Sequence, residues 1–307
     1  MSARIAAIDF GTNTARLLIA DVCGPAGFEH VLLEREIVRM GGGFDRERGL
    51  SPEAWERGMA CLTRFGAFIR EHGVSRTRAV ATSAVRDAVN GAEFVEQVRR
   101  STGISLEVID GAEEGRLTLA GVMTGLDRHY DEALIFDVGG GSTEYTVAHG
   151  GEARFIRSLP IGVVRLTEGK VTPAAIQEKI GRELEQLGQE MDAAGCRLSP
   201  GSPLIGTAGT ATTLAAISME MQDYDYRKVN NAVISYDTIK NIYDRLLPLS
   251  PEERLAVPGL EKGREDLIIA GMLITLQTME MFGADALKVS DYGLLEGLVV
   301  SGNCSEG

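Results

Sequence analysis

The stretch ALIFDVGGGSTEYTVAH, residues 133–149, decides the fold. Four largely apolar residues, Ala133–Phe136, lead into Asp137. Gly139, Gly140 and Gly141 follow, then Ser142, Thr143 and Glu144, and a second run begins at Tyr145. A short apolar run bounded by glycine reads as a buried strand, so the stretch predicts strand, tight turn, strand. Consecutive glycines carry no Cβ and tolerate positive φ, which lets successive N–H groups turn toward one point. Such a concavity binds anions, phosphate above all. Asp137 and Glu144 set a carboxylate on each side, and they would repel phosphate unless a metal ion sat between them. Two unit charges ~4 Å apart interact by about 4 kcal/mol at an effective dielectric near 20. The stretch therefore reads as a phosphate-plus-metal turn, with a plain glycine-rich hairpin loop as the alternative.

The N-terminus repeats the pattern. In RIAAIDFGTNTARLLIADV, residues 4–22, a strand ends in Asp9, a polar turn covers Gly11, Thr12, Asn13 and Thr14, and a second strand runs Leu17–Val22. Asp9-Phe10-Gly11 aligns with Asp137-Val138-Gly139 at an offset of 128 residues (137 − 9). Two copies of one motif predict a duplicated α/β architecture, with one phosphate turn per half facing a shared cleft.

Between the turns, Ser51-Pro52-Glu53 opens a helix to about His72, with Ser51 as cap, Pro52 at the first position and Gly73 as the stop. Arg78–Thr82 reads as a short strand. Ser83 and Arg86 then lie at a strand-to-helix junction, where a helix N-terminus adds to anion binding; a solvated surface arginine is the plainer alternative. Glu113 and Glu114 open another helix after the strand Ser105–Ile109. Adjacent helical residues point about 100° apart, so only one of the two faces a site. The other serves as a cap or dipole complement. Beyond the central turn, Leu204–Thr207 is a strand, and Ala208-Gly209-Thr210 forms a third small-residue turn, which adds Gly209 and Thr210 as phosphate-binding candidates. Asp223–Ser235 reads as irregular. A long apolar helix ends at Phe282, a last strand covers Lys288–Asp291, and a closing helix starts from Tyr292. The boundaries expected are 1–120 with 291–307 for one domain and 121–290 for the other.

At 307 residues, the chain has the length of two domains, and 44% apolar with 24% charged residues is ordinary for a globular protein. The formal charge of −13 argues against broad binding to nucleic acid or anionic membrane. It requires that arginines and a cation be concentrated wherever a polyanion binds. No apolar run is long enough to span a membrane, and no secretory h-region precedes the first strand, so a cytoplasmic location is expected. Cys23, Cys61, Cys196 and Cys304 form no CxxC pair, and His30, His72, His129 and His149 show no ligand spacing.

Taken together, IDFGTNTARLLI (8–19), ATSAVRDAVN (81–90), IDGAEEGRL (109–117), FDVGGGSTE (136–144), SLPIGVVRL (158–166), IGTAGTATTL (205–214), GREDLIIAG (263–271) and SDYGLLEG (290–297) resemble the exopolyphosphatase / guanosine pentaphosphate phosphohydrolase (Ppx/GppA) family over essentially the whole chain. That resemblance implies a duplicated actin-like fold (ASKHA, ribonuclease H-like) of two domains around a central cleft. It implies hydrolysis of a terminal phosphoanhydride of inorganic polyphosphate, with guanosine pentaphosphate (pppGpp) as the alternative substrate. Glu114 matches the catalytic glutamate that orients or deprotonates water. Asp9, Gly11, Thr12 and Asn13 match the first phosphate loop, Arg86 a phosphate-contacting arginine, and Ser142 a phosphate-contacting hydroxyl. Gly139, with Gly140 and Gly141, forms the central phosphate turn, and Asp137 and Glu144 match its essential acids.

Mg²⁺ or another divalent cation is expected on Asp137 and Glu144, with Asp9 as a third ligand. A homodimer follows from the habit of the family. A polyphosphate- or nucleotide-binding regulator, or an actin-like kinase, is the reading from a different class. Two departures from the pattern stand out: Leu295 replaces a usual arginine, and Lys228-Val229-Asn230-Asn231-Ala232 replaces a usual His-Gly segment. Larger members add a C-terminal helical domain that this sequence lacks, which implies lower processivity on long chains.

Overall fold

The structure is a computed structural model, and it describes residues 3–24, 27–169 and 172–301. The chain forms two compact units, Met1–Thr124 with Leu294–Gly307, and Gly125–Gly293. Both boundaries fall a few residues beyond the expected ones. The helix that begins at Gly111 runs on to Gly125, and the closing helix starts only at Leu294.

The first unit is built from β1 (Arg4–Phe10), β2 (Thr14–Val22), β3 (Phe28–Ile37), α1 (Pro52–Glu71), β4 (Arg76–Ala81), α2 (Ser83–Arg86), α3 (Gly91–Thr102), β5 (Leu106–Val108) and α4 (Gly111–Gly125). Its sheet has the order β3-β2-β1-β4-β5. The first three strands are antiparallel neighbours, and β4 and β5 join in parallel. Side chains alternate faces along a strand, so Ala6, Ile8 and Phe10 of β1 enter a core with Leu62 and Phe65 of α1 and Phe94 of α3. Ala7 joins a second cluster with Leu18 of β2 and Leu117 of α4. Helix α1 starts as its sequence dictates: the Ser51 hydroxyl accepts from the Ala54 N–H at 3.2 Å, with Pro52 at the first turn.

The second unit follows with β6 (Glu132–Val138), β7 (Thr143–His149), β8 (Glu152–Leu159), α5 (Val163–Glu168), α6 (Pro173–Ala193), β9 (Leu204–Thr207), α7 (Ala208–Ser218), α8 (Tyr226–Val229), β10 (Val233–Ser235), α9 (Tyr236–Leu246), α10 (Pro251–Arg254), α11 (Ile268–Phe282) and β11 (Ala286–Val289). Its sheet order is β10-β11-β9-β6-β7-β8. Read from β8 to β11, the order and strand directions repeat those of the first unit, which is the duplication that the two DxG turns imply. Leu134, Phe136 and Val138 of β6 share one core with Ile180, Leu184 and Leu187 of α6 and Met272, Leu273 and Leu276 of α11. Helix α12 (Leu294–Ser301) returns to the first unit, where Leu294, Leu298 and Val299 complete the cluster around Ala7.

One expectation is corrected. Residues 223–235 are not irregular throughout: α8 forms, and Val233–Ser235 pairs antiparallel with Ala286–Lys288 of β11, with turns and loop between them. A three-residue strand carries too little periodicity to be read locally and exists through its partner. The Asn230-Asn231 pair in this segment is structural. Both side-chain amides donate to the Gly125 carbonyl at 2.8 Å, and Asn230 Oδ1 accepts from the Asp291 N–H at 3.0 Å. Leu295 stands where the resemblance has an arginine. It is fully buried in the apolar cluster of the first unit.

Candidate active site

Each unit presents its own set of candidate groups, and each set lies at the end of its central strands. In the first unit, Asp9 is the last residue but one of β1, and the turn to β2 is drawn tight by the Gly11 N–H on the Thr14 carbonyl, 3.0 Å. The segment after β3 takes up the turn's own carbonyls. The Thr12 carbonyl accepts from Gly41 at 3.0 Å, and the Asn13 carbonyl accepts from Val38 and Arg39 at 3.0 and 2.8 Å. In a trans peptide the N–H of the next residue points the opposite way, so the Asn13 and Thr14 N–H groups face away from that segment. The Thr12 hydroxyl is used internally, within 2.8 Å of Ser83 Oγ and accepting from the Ala84 N–H. What this turn offers an anion is therefore chiefly backbone. Asn13 is buried, and its Oδ1 has no hydrogen-bond partner among the described residues. The side-chain amide can present nitrogen there equally well, because its two orientations share one shape.

Glu114 and Arg86 belong to the same unit. Asp110 caps α4 by accepting from the Glu113 N–H at 2.8 Å, which places both glutamates in the first turn. The Glu113 side chain is 35% exposed and spends its oxygens on Arg78 and Arg116 at the surface, whereas that of Glu114 is 9% exposed. The helical offset of about 100° sorts the pair. Glu114 Oε2 lies 3.4 Å from Arg86 Nη1, and the same nitrogen donates to the Ile109 carbonyl at 3.0 Å. Arg86 thus ties the end of β5 to the buried carboxylate and fixes its direction.

In the second unit, the Gly139 N–H on the Ser142 carbonyl closes the central turn at 3.0 Å. Gly139, Gly140 and Gly141 lie against the start of α5. Val163 donates to Gly139, Val164 and Arg165 donate to Gly140, and the Arg165 side chain donates to Gly141. The same logic as in the first unit leaves the N–H groups of Gly140, Gly141 and Ser142 facing away from α5. Gly162, the residue before α5, permits this approach, because a Cβ there would overlap the backbone of Gly140 and Gly141. Gly162→Ala should therefore cost about 3 kcal/mol by forcing this backbone apart. Urea denaturation reads that loss, and a midpoint within error of wild type would refute the close approach. The Ser142 hydroxyl makes no hydrogen bond among the described residues and is available to a ligand.

The strand registers expose a difference between the two turns that sequence reading missed. Asp9 lies opposite Arg16, and Asp137 lies opposite Glu144, each seven residues on. Arg16 binds Asp9 through two nitrogens, at 2.8 and 3.2 Å, so the acid expected as a third metal ligand carries its own counter-charge. In the second unit the equivalent partner is a second carboxylate. Directly opposed side chains stand about 4.5–5.5 Å apart at Cβ on one face, and like charges there are unfavourable. Ser158, opposite Glu144 on β8, donates to its Oε1 at 2.7 Å and holds it in the row. Two adjacent carboxylates suit a hard cation that takes its other oxygens from water and phosphate. Among the described residues, no group of three or more His, Cys, Asp or Glu is placed to hold a metal.

The third turn brings a further missed residue. The Arg264 guanidinium lies against Gly209 where a Cβ would stand, and it pairs with Glu261 at 3.2 Å. Thr210 packs its side chain toward Gly271 of α11. Ala208 has φ +61, a left-handed conformation worth about 1–2 kcal/mol of strain in a residue with a Cβ. The conspicuous GREDL segment was the available signal for Arg264. For Arg16 it was the offset of 128 itself, since 16 + 128 = 144.

A profile of the Ppx/GppA phosphatase family matches residues 18–306. The chain belongs to the Ppx/GppA phosphatase family. It is 35% identical to a protein named exopolyphosphatase 2 from Mycobacterium tuberculosis, over 97% of this chain and 98% of that one. Among solved structures, the Ppx/GppA family member from Aquifex aeolicus is 35% identical, with a TM-score of 0.81 over 100% of this chain and 99% of that one. An exopolyphosphatase from Cytophaga hutchinsonii is 27% identical with a TM-score of 0.89, over 98% and 97%. The fold is accordingly the actin-like α/β fold, and membership makes the chain a phosphoanhydride hydrolase. No helix among the described residues is long and apolar enough to cross a membrane.

Proposed function

We propose that this enzyme removes the terminal phosphate of inorganic polyphosphate as orthophosphate, with water positioned by Glu114. The observation that carries the reading is the buried Glu114 carboxylate held by Arg86 at the first turn of α4. The relative named exopolyphosphatase 2, aligned over nearly the whole chain, supports it. Phosphoryl transfer asks for positioning and charge stabilisation more than for a strong base. Water attacks the terminal phosphorus, its proton passes to Glu114, and the bridging P–O bond breaks, leaving the shortened chain with the electron pair. In the second unit, the outward N–H groups of Gly140, Gly141 and Ser142 are the donors that would stabilise charge on phosphoryl oxygens, and in the first unit Arg86 is the cation beside Glu114. In the first unit the outward N–H groups are those of Asn13 and Thr14, and in the second unit Arg264 lies against Gly209 of the third turn. Asp137 and Glu144 would hold Mg²⁺, which when bound neutralises phosphate charge.

The test is orthophosphate release from long-chain polyphosphate, short-chain polyphosphate and guanosine pentaphosphate, with and without Mg²⁺. Mg²⁺-dependent release from polyphosphate is expected. Preference for guanosine pentaphosphate would reassign the substrate and keep the chemistry. No release from any of them, by folded protein, would move the chain to the binding or kinase class.

A further inference from the structure

We infer that Arg165 is a positioning residue for the anion-binding face of the central turn. The inference rests on the phosphoanhydride reading of this site. A turn of three glycines has little stiffness of its own, since each residue can reorient its flanking peptides at small steric cost. The peptides here are oriented from outside. Val163 fixes the Gly139 carbonyl at 3.0 Å, and the backbone N–H groups of Val164 and Arg165 fix the Gly140 carbonyl at 2.8 and 3.1 Å. These backbone donors are spent on Gly139 and Gly140, and the third carbonyl, that of Gly141, is held by Arg165 Nε at 2.8 Å.

The Gly141–Ser142 peptide is trans, like all the peptides of the described chain. Holding its carbonyl toward α5 therefore directs the Ser142 N–H to the opposite side, beside those of Gly140 and Gly141. The side chain of Arg165 thus completes a row of three donors that its backbone and its neighbours begin. Its charge also stands one peptide away from a turn flanked by Asp137 and Glu144. A neutral residue at this position would leave the last peptide free to rotate and would present a carbonyl dipole to the substrate instead of an N–H.

The experiment compares wild type, Arg165→Met, Arg165→Ala and Arg165→Lys. The readouts are steady-state orthophosphate release from polyphosphate, calorimetric binding of tripolyphosphate, and thermal melting. Loss of one charge-assisted hydrogen bond predicts a fall in kcat/KM of about 10- to 100-fold in Arg165→Met. Tripolyphosphate binding should weaken in parallel, in a protein that still melts cooperatively, a few degrees lower. Free guanidinium at low millimolar concentration should restore part of the activity of Arg165→Ala, which a merely structural role would not allow. Arg165→Lys keeps the charge without the planar donor, should lose less than Arg165→Met, and serves if that variant does not fold.

Efficiency and binding equal to wild type in Arg165→Met, or in Arg165→Lys where only that variant folds, would overturn the inference. Lost activity without guanidinium rescue would also overturn it. A wild type that binds tripolyphosphate but releases no orthophosphate defeats the functional reading alone, and the binding comparison then still decides the role of Arg165.

Discussion

Glu114→Gln is expected to lower orthophosphate release by roughly 10²- to 10⁴-fold while the protein stays folded, equivalent to about 3–5 kcal/mol in the barrier. Glutamine keeps the shape of the side chain, and its carbonyl can still accept from Arg86 Nη1, so the end of β5 remains tied to α4. What is lost is the ability to take the proton of the attacking water. Glu113→Gln is the internal control. Its carboxylate is engaged with Arg78 and Arg116 at the surface, where exposed ion pairs contribute ~1 kcal/mol or less. A steady-state comparison of the two variants reads the difference directly. Near-equal activity of Glu114→Gln and wild type would remove Glu114 from the chemistry while leaving the fold untouched.

Asp137→Asn is expected to abolish the response to Mg²⁺. In wild type, a cation bound between Asp137 and Glu144 stabilises the folded state by mass action, about 2.7 kcal/mol at a concentration 100 times its dissociation constant. A protein of this size should then melt several degrees higher with Mg²⁺ than with a chelator, at about 2–4 °C per kcal/mol. Removing one of the two opposed carboxylates should erase most of that rise and lower Mg²⁺-dependent release by about 10² or more. Arg16 makes the contrast on the other unit: Asp9 is already paired at 2.8 Å, so Asp9→Asn should leave the Mg²⁺-induced rise in place. Melting curves of the three proteins with Mg²⁺ and with chelator carry the test. An Mg²⁺-induced rise that survives in Asp137→Asn but disappears in Asp9→Asn would exchange the roles of the two turns.

Much of this was legible in the sequence, for reasons that are local. Asp137-Val138 followed by three glycines, and the DxG echo at Asp9, announce strand–turn–strand because glycine frees the backbone where apolar runs stop. Ser51-Pro52 announces a helix start because cap and first-turn chemistry act within four residues. The choice between Glu113 and Glu114 needed only the helical repeat to say that the two differ, but it needed the packing of α4 to say which is buried. The strand Val233–Ser235 was out of reach, since three residues gain their hydrogen bonds only from β11. Likewise, Leu295 looks like a lost contact in a motif and proves to be part of a core.

By itself, the sequence determined that the chain is a duplicated α/β protein with one DxG turn per half, because periodicity, glycine placement and capping are written in neighbouring residues. Tertiary structure decided what each turn carries. Strand register sets Arg16 against Asp9 and Glu144 against Asp137, and α5 reaches the glycine carbonyls through Gly162 and Arg165. These pairings join residues 7 to 24 positions apart along the chain. Charge and hydrogen-bond direction depend on distance in space, and only the folded backbone brings Arg16 to Asp9 and Arg165 to Gly141 within 3 Å.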